Sequence, residues 1–193
     1  KVEYLGTDEI YFYHLDAKDR SEEAKKLRVL LKLAKKQKTI VVTSVDAILR
    51  KYIPKKVLLD NIFTYKIGDI INLEELSQNL VRLGYERVSR IEGLGQFSIR
   101  GGIIDVYSLE YTNPIRIELF DDEIDSIRTF DVFSQKSIDK IKKVVITPSR
   151  EFIYPEDTTS AVEKIKEETN KYTDDNVLKN IENISDRTYF QGV

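Results

Sequence analysis

Cysteine is missing from this chain, and histidine occurs once, at His14. That excludes a disulfide framework and a thiolate zinc site, and one imidazole cannot build a histidine-rich metal centre. Neither sign of charge dominates. With 31 Lys and Arg against 33 Asp and Glu, no global basic field draws the chain onto nucleic acid, and any such contact must be local. No apolar run approaches the roughly 18 residues of a membrane span, and the N-terminus lacks the basic-then-apolar pattern of a secretory signal. No membrane partner is expected, and a cytoplasmic location fits the lack of cysteine. Methionine is absent too, and with Lys1 at the start the sequence reads as a piece of a longer gene product. What is present is a globular composition, 41% hydrophobic, under a surface rich in charge, at 33% of all residues.

Three stretches are distinguishable. Residues 1–62 read as part of an α/β unit, with short strands at Tyr4-Leu5 and at Ile10 to Tyr13. Ser21 is expected to cap a helix running from Glu22 to about Lys36, with acidic residues in its first turn and lysines near its end, as the helix dipole favours. Ala24, Leu27, Leu30, Leu31 and Ala34 recur at three- and four-residue spacing and make its buried stripe, while Lys25, Lys26, Lys32, Lys35 and Lys36 occupy the remainder. Thr39 to Thr43 is a β-branched run suited to a buried parallel strand, and Ser44 opens a second helix that stops near Pro54.

Residues 63–146 change character. Gly68-Asp69 breaks the chain, and Leu73, Leu76, Leu80 and Leu83 mark one helix closed by Gly84. Short strands follow, separated by turns at Gly93 to Gly95, Gly101-Gly102, Thr112 to Pro114 and Asp121-Asp122. One helix beside a small antiparallel sheet makes an α+β module, inserted in the partial α/β domain and separate from it. Residues 147–193 carry little apolar surface and are expected to return to the first unit, with a polar helix introduced by Thr158 to Ser160.

Within the module, alternation in Pro114 to Phe120 sends Ile115, Ile117 and Leu119 to one side of a strand and Arg116, Glu118 and Phe120 to the other. Phe97 and Ile99 are the apolar positions of a neighbouring strand, which leaves Arg100 on the opposite side, just before Gly101-Gly102. Two arginines and a phenylalanine on one outward surface have the composition of a protein-binding hot spot. Alternation equally permits a sheet covered on both faces, with Phe120 in a core and each arginine paired to Glu118 or Asp105. The spacing of Ile124 and Ile127 breaks the alternation and predicts a bulge or an early strand end near Asp125-Ser126.

Other chemistry finds little support. The phosphate loop Gly-x-x-x-x-Gly-Lys-Ser/Thr is absent, and Gly93-Leu94-Gly95 is followed by strand-like residues, so it reads as a turn. Asp121, Asp122, Glu123 and Asp125 form a dense acidic group in a strand-turn-strand context, where solvated turn residues are the simpler reading. His14 has no serine and acid arranged around it. Local nucleic-acid contacts are conceivable through Tyr11, Phe12 and Tyr13 as stacking groups, with Lys32, Lys35, Lys36 and Lys38, or Lys51, Lys55 and Lys56, on phosphates. Strand packing and solvated helix faces explain the same residues.

Leu80 to Val88, Gly95 to Tyr107 and Pro114 to Arg128 together resemble the second structural domain of the transcription-repair coupling factors (Mfd), in the region that family shares with the excision-repair protein UvrB. Val41 to Leu49 is similar to the family's UvrB-like α/β domain, and Pro148 to Phe152 to the return into it. The resemblance covers nearly the whole chain, most firmly residues 72–152. It implies a partial UvrB-like α/β domain carrying an inserted α+β domain that binds UvrA, an adaptor recruiting nucleotide excision repair to RNA polymerase stalled at DNA damage. Carried over position by position, the family's UvrA-contacting arginines fall on Arg100 and Arg116 and its contacting aromatic on Phe120. No catalytic, cofactor or metal residue is implied. Full-length members also engage RNA polymerase and double-stranded DNA as ATP-dependent translocases, and a C-terminal domain masks their UvrA-binding surface. The translocase motifs and the polymerase-binding module are absent here, so no enzymatic activity is expected of this chain. The alternative is a damaged-DNA-binding piece of a UvrB-like protein. Tyr11-Phe12-Tyr13 is too short and wrongly placed for UvrB's damage-probing aromatic hairpin, which favours the coupling factors.

Overall fold

The computed structural model describes residues 2–6, 20–154, 159–169, 178, 181, 182 and 184. The strand expected at Ile10 to Tyr13, and His14, lie outside the described residues. The chain divides into two compact units, Lys1–Glu151 and Phe152–Val193.

The first unit begins with β1 (Val2–Leu5), α1 (Arg20–Ala34) and β2 (Ile40–Thr43). β1 and β2 are parallel, with Val2 opposite Ile40 and Tyr4 opposite Val42, a pairing that requires a crossover between them. The helix starts at Arg20, so Ser21 is a first-turn residue and not the expected cap. Its stripe behaves as the spacing predicts: Ala24, Leu27, Leu31 and Ala34 are buried with Leu58 and Leu109, and Leu30 packs beside them. Lys26, off the apolar stripe, is buried against Glu151 at 3.0 Å. The chain returns over that side of the helix, where the Glu151 N–H donates to Glu23 Oε1. β2 is parallel as expected but not buried, because Val2, Tyr4, Ile40 and Val42 share a face that no described element covers.

Ser44 caps α2 (Val45–Leu49), its Oγ accepting from the Ala47 N–H at 3.2 Å. Pro54 does not only stop a helix. It is the N-cap of α3 (Lys55–Asp60), whose Leu58 joins the α1 cluster. β3 (Phe63–Lys66) and α4 (Leu73–Arg82) follow. Asn72 Oδ1 accepts from the N–H groups of Glu74 and Glu75 at the start of α4, and Gly84 follows its end in the left-handed region, at φ +88°.

Six strands then form one sheet in chain order: β4 (Glu86–Arg87), β5 (Gln96–Arg100), β6 (Ile103–Val106), β7 (Ile115–Phe120), β8 (Glu123–Phe130) and β9 (Ser137–Lys140). The sheet is mixed, not purely antiparallel as expected, since β4 runs parallel to β5. The connection from Val88 to Gly95 is long enough to carry the chain back to the start of the next strand. β10 (Lys143–Ile146) leaves this sheet and pairs antiparallel with β3. On the core side of the sheet Phe97, Ile104, Val106, Ile115, Ile117, Ile124 and Ile127 are buried. A bulge explains the last two. Glu118 faces Ser126, but Leu119 faces Ile124, so Asp125 is the extra residue and Ile124 and Ile127 both reach the core.

In the second unit α5 (Thr159–Thr169) contributes Val162 to a small buried cluster with Tyr154, Ile181 and Ile184. Phe152 meets the Tyr154 ring edge-on at 4.9 Å. The tail therefore has apolar packing of its own, contrary to expectation, because Val162 and Ile165 recur at helical spacing.

Candidate functional site

The register of the six-stranded sheet assembles a polar face opposite the core. Residues directly across a ladder share a face, so Ser98, Asp105, Arg116 and Arg128 form one row and Arg100, Ile103, Glu118 and Ser126 the next. Phe120 and Glu123 close the hairpin end of β7 and β8. Two turns fix this end. Gly101 adopts φ +58° between β5 and β6, and Gly102 lies so near β7 that a Cβ would stand 3.1 Å from the Leu119 carbonyl oxygen. Leu119 N–H donates to the Gly102 carbonyl at 2.8 Å. Asp121, at φ +60°, makes the turn after Phe120.

Asp105 is the centre of the polar face. Its carboxylate, 2% exposed, accepts two hydrogen bonds from Arg116, from Nε at 2.7 Å and Nη2 at 2.8 Å, and a third from Arg100 Nη2 at 3.0 Å. Arg116 also donates to Gln135 Oε1 at 3.2 Å, and its guanidinium carbon stands 4.4 Å from the centroid of the buried Phe130 ring. These hydrogen bonds to Asp105 raise the Arg116 pKa further, against the opposing effect of burial. Glu118 is held by Arg128 and by the Ser126 hydroxyl, which donates at 2.7 Å.

The arginines are adjacent and outward of the core, but both pair with Asp105, as the covered-sheet reading required. Phe120 is not core, being 80% exposed. The Arg116 side chain is only 14% exposed while that of Arg100 is 51% exposed. Phe120 stands four residues along β7 from Arg116, roughly 13 Å away. The free surface therefore belongs to Phe120 and Arg100, with Arg116 built into its support. Arg100, already held by Asp105 at 3.0 Å, loses less entropy on meeting a further group than a free arginine would.

Ile70 and Phe133 are among the exposed apolar residues that escaped the reading of the sequence. Ile70 bridges to Glu123 and so extends the row of Phe120. In Ile70-Ile71 an extended chain can bury only one of the two, which is the signal that was available. Phe133, 89% exposed, projects from the turn 131–136. That turn is tied by Asp131 Oδ1, which accepts from the Ser134 N–H and hydroxyl at 2.7 and 2.8 Å, and these bonds lower the Asp131 pKa. Arg90 donates to the Phe133 carbonyl oxygen. The phosphate-binding reading of α1 weakens, because Lys32 pairs with Glu3 at 2.5 Å and Lys35 with Glu110 at 2.8 Å. The Asp121 to Asp125 group is exposed around its turn except for the apolar Ile124.

The profile of the UvrB interaction domain matches residues 63–152, a span that contains the whole polar face. The chain is 43% identical over 143 residues to the transcription-repair-coupling factor of Bacillus subtilis, covering 74% of this chain and 12% of that relative. It is 32% identical over 196 residues to the transcription-repair-coupling factor of Staphylococcus epidermidis, covering 97% of this chain and 17% of the relative. The chain belongs to the transcription-repair-coupling factor family. It spans less than a fifth of the length of these relatives. In this coupling-factor chain the matched span also takes in residues 147–151, where Tyr85 donates to the Thr147 carbonyl at 2.7 Å and Ser149 N–H to Leu83 at 2.9 Å.

Proposed function

We propose that the chain is the UvrA-binding part of a transcription-repair-coupling factor and that it acts as an adaptor without catalysis of its own. The observation that carries this reading is Phe120, a large aromatic held 80% exposed at the end of a strand locked by partners on both sides. It lies within the span matched to the UvrB interaction domain. In this reading Phe120 enters an apolar recess of UvrA, and Arg100 makes a charge-assisted hydrogen bond to an acidic group beside it. Arg116 contributes by fixing Asp105, and through it the position of Arg100. Residues 63–146 are the binding domain proper, and 1–62 and 147–193 belong to a UvrB-like α/β domain around it. In the full-length protein the surface recruits excision repair to stalled RNA polymerase, on double-stranded DNA in the cytoplasm. The ATP-driven translocase and the C-terminal domain that masks this surface lie elsewhere in that protein.

The test is gel filtration of UvrA mixed with this chain in DNA-free buffer. Co-elution is the expected result. Separate elution, together with a salt-sensitive gel shift of damaged duplex by the chain alone, would replace this reading with one of direct DNA binding.

A further inference from the structure

We propose that Ile70 is a second apolar anchor of this surface, and that the partner places a basic side chain in the acidic hollow beside it. The inference rests on the reading of the Phe120 face as the UvrA-binding surface.

Ile70 is 73% exposed, and its position is set by backbone pairing. The bridge Ile70 to Glu123 is flanked by two hydrogen bonds, from Ile124 N–H to the Asp69 carbonyl at 2.9 Å and from Ile71 N–H to the Asp122 carbonyl at 2.8 Å. A third, from Gly68 N–H to the Ile124 carbonyl, holds the preceding turn. Glu123 in turn faces Phe120. Ladder partners share a face, so Phe120, Glu123 and Ile70 form one row with the two apolar residues about 10 Å apart. That spacing lets them bracket a single partner element. The neighbour Ile71 is buried, and the alternation of an extended segment then forces Ile70 outward.

Charge around the row is ordered. At the hairpin end a shallow hollow is lined by Ile70, Leu73, Glu74, Asp121 and Asp122, and Glu123 stands inside the row. Arg100 lies on β5, on the far side of Phe120. Asn72 Oδ1 already occupies the N–H groups of Glu74 and Glu75, so the start of α4 does not offer them to an anion. The complementary partner therefore carries an acidic group opposite Arg100, separate apolar contacts to Phe120 and to Ile70, and a lysine or arginine opposite Asp121, Asp122 and Glu123.

The experiment is calorimetric titration of UvrA with the parent chain and with Phe120→Ala, Ile70→Ala and Asp122→Lys, each with its melting temperature measured. Ile70→Ala should melt like the parent and bind about tenfold more weakly. Asp122→Lys should weaken binding to a degree that shrinks with added salt. If Phe120→Ala loses binding while Ile70→Ala binds within twofold of the parent, the role of Ile70 is overturned and the surface reading stands. If Asp122→Lys binds like the parent, the basic partner group is overturned. If the parent itself does not bind UvrA, the surface reading and this extension fall together.

Discussion

Replacing Arg116 by alanine should destabilise the fold far more than replacing Phe120, although both were first read as outward contact residues. Arg116 leaves a carboxylate, Asp105, that is 2% exposed and bonded to it at 2.7 and 2.8 Å. Removing one partner of a fully buried pair costs about 3–5 kcal/mol. Here Arg100 still reaches Asp105 at 3.0 Å and is half-exposed, so the uncompensated part falls to about 2–3 kcal/mol. Loss of the guanidinium over Phe130 adds on the order of 0.5–1 kcal/mol. The sum is about 3 kcal/mol, whereas Phe120→Ala, at an exposed position, should stay within about 0.5 kcal/mol of the parent. Urea denaturation followed by circular dichroism measures both, with the midpoint moving and the slope unchanged. Arg116→Lys should fall on the alanine side, because an ammonium cannot reproduce the two parallel bonds. An Arg116→Ala variant as stable as the parent would refute the assignment of Arg116 to the support of the face.

Gly84→Ala should cost about 1–3 kcal/mol, since φ is +88° and the new Cβ would meet Arg150 Cγ at 2.7 Å; a melting temperature unchanged from the parent would contradict the close packing there. Stability should fall as pH rises above about 10, because desolvation raises the pKa of Tyr85 and, to lesser degrees of burial, of Tyr65, Tyr107 and Tyr111. The unfolded chain loses those phenol protons at ordinary values while the folded chain keeps them, so their contribution is intact below pH 10 and lost above it. Urea midpoints compared on either side of pH 10 test this, Tyr85→Phe should flatten the fall, and a stability constant across that range would refute it.

Much of the site was legible because period-two alternation is a strong constraint where one face is buried. Ile115 and Ile117 inward with Phe120 outward follows from it directly, and the misfit of Ile124 with Ile127 located the bulge at Asp125. Asp105 as the shared partner of two arginines was visible only as one option among several, since register between strands is set by turns and not by composition. Features that depend on residues distant in sequence were not legible. β10 pairs with β3 across more than seventy residues, Glu151 comes back to bury Lys26, and Ile70 joins the row of Phe120 only through the bridge to Glu123. The first sheet misled for another reason. A β-branched run such as Ile40 to Thr43 is composed for burial, yet the described residues supply no second layer over Val2, Tyr4, Ile40 and Val42.

The most direct test of the central claim is calorimetric titration of UvrA, without DNA, against the parent chain and the folded Phe120→Ala and Arg100→Ala variants. The parent should bind, Phe120→Ala should weaken binding by roughly thirtyfold or more, and Arg100→Ala should weaken it by about tenfold. Binding by folded Phe120→Ala as tight as that of the parent would contradict the claim and place the contact elsewhere on the chain.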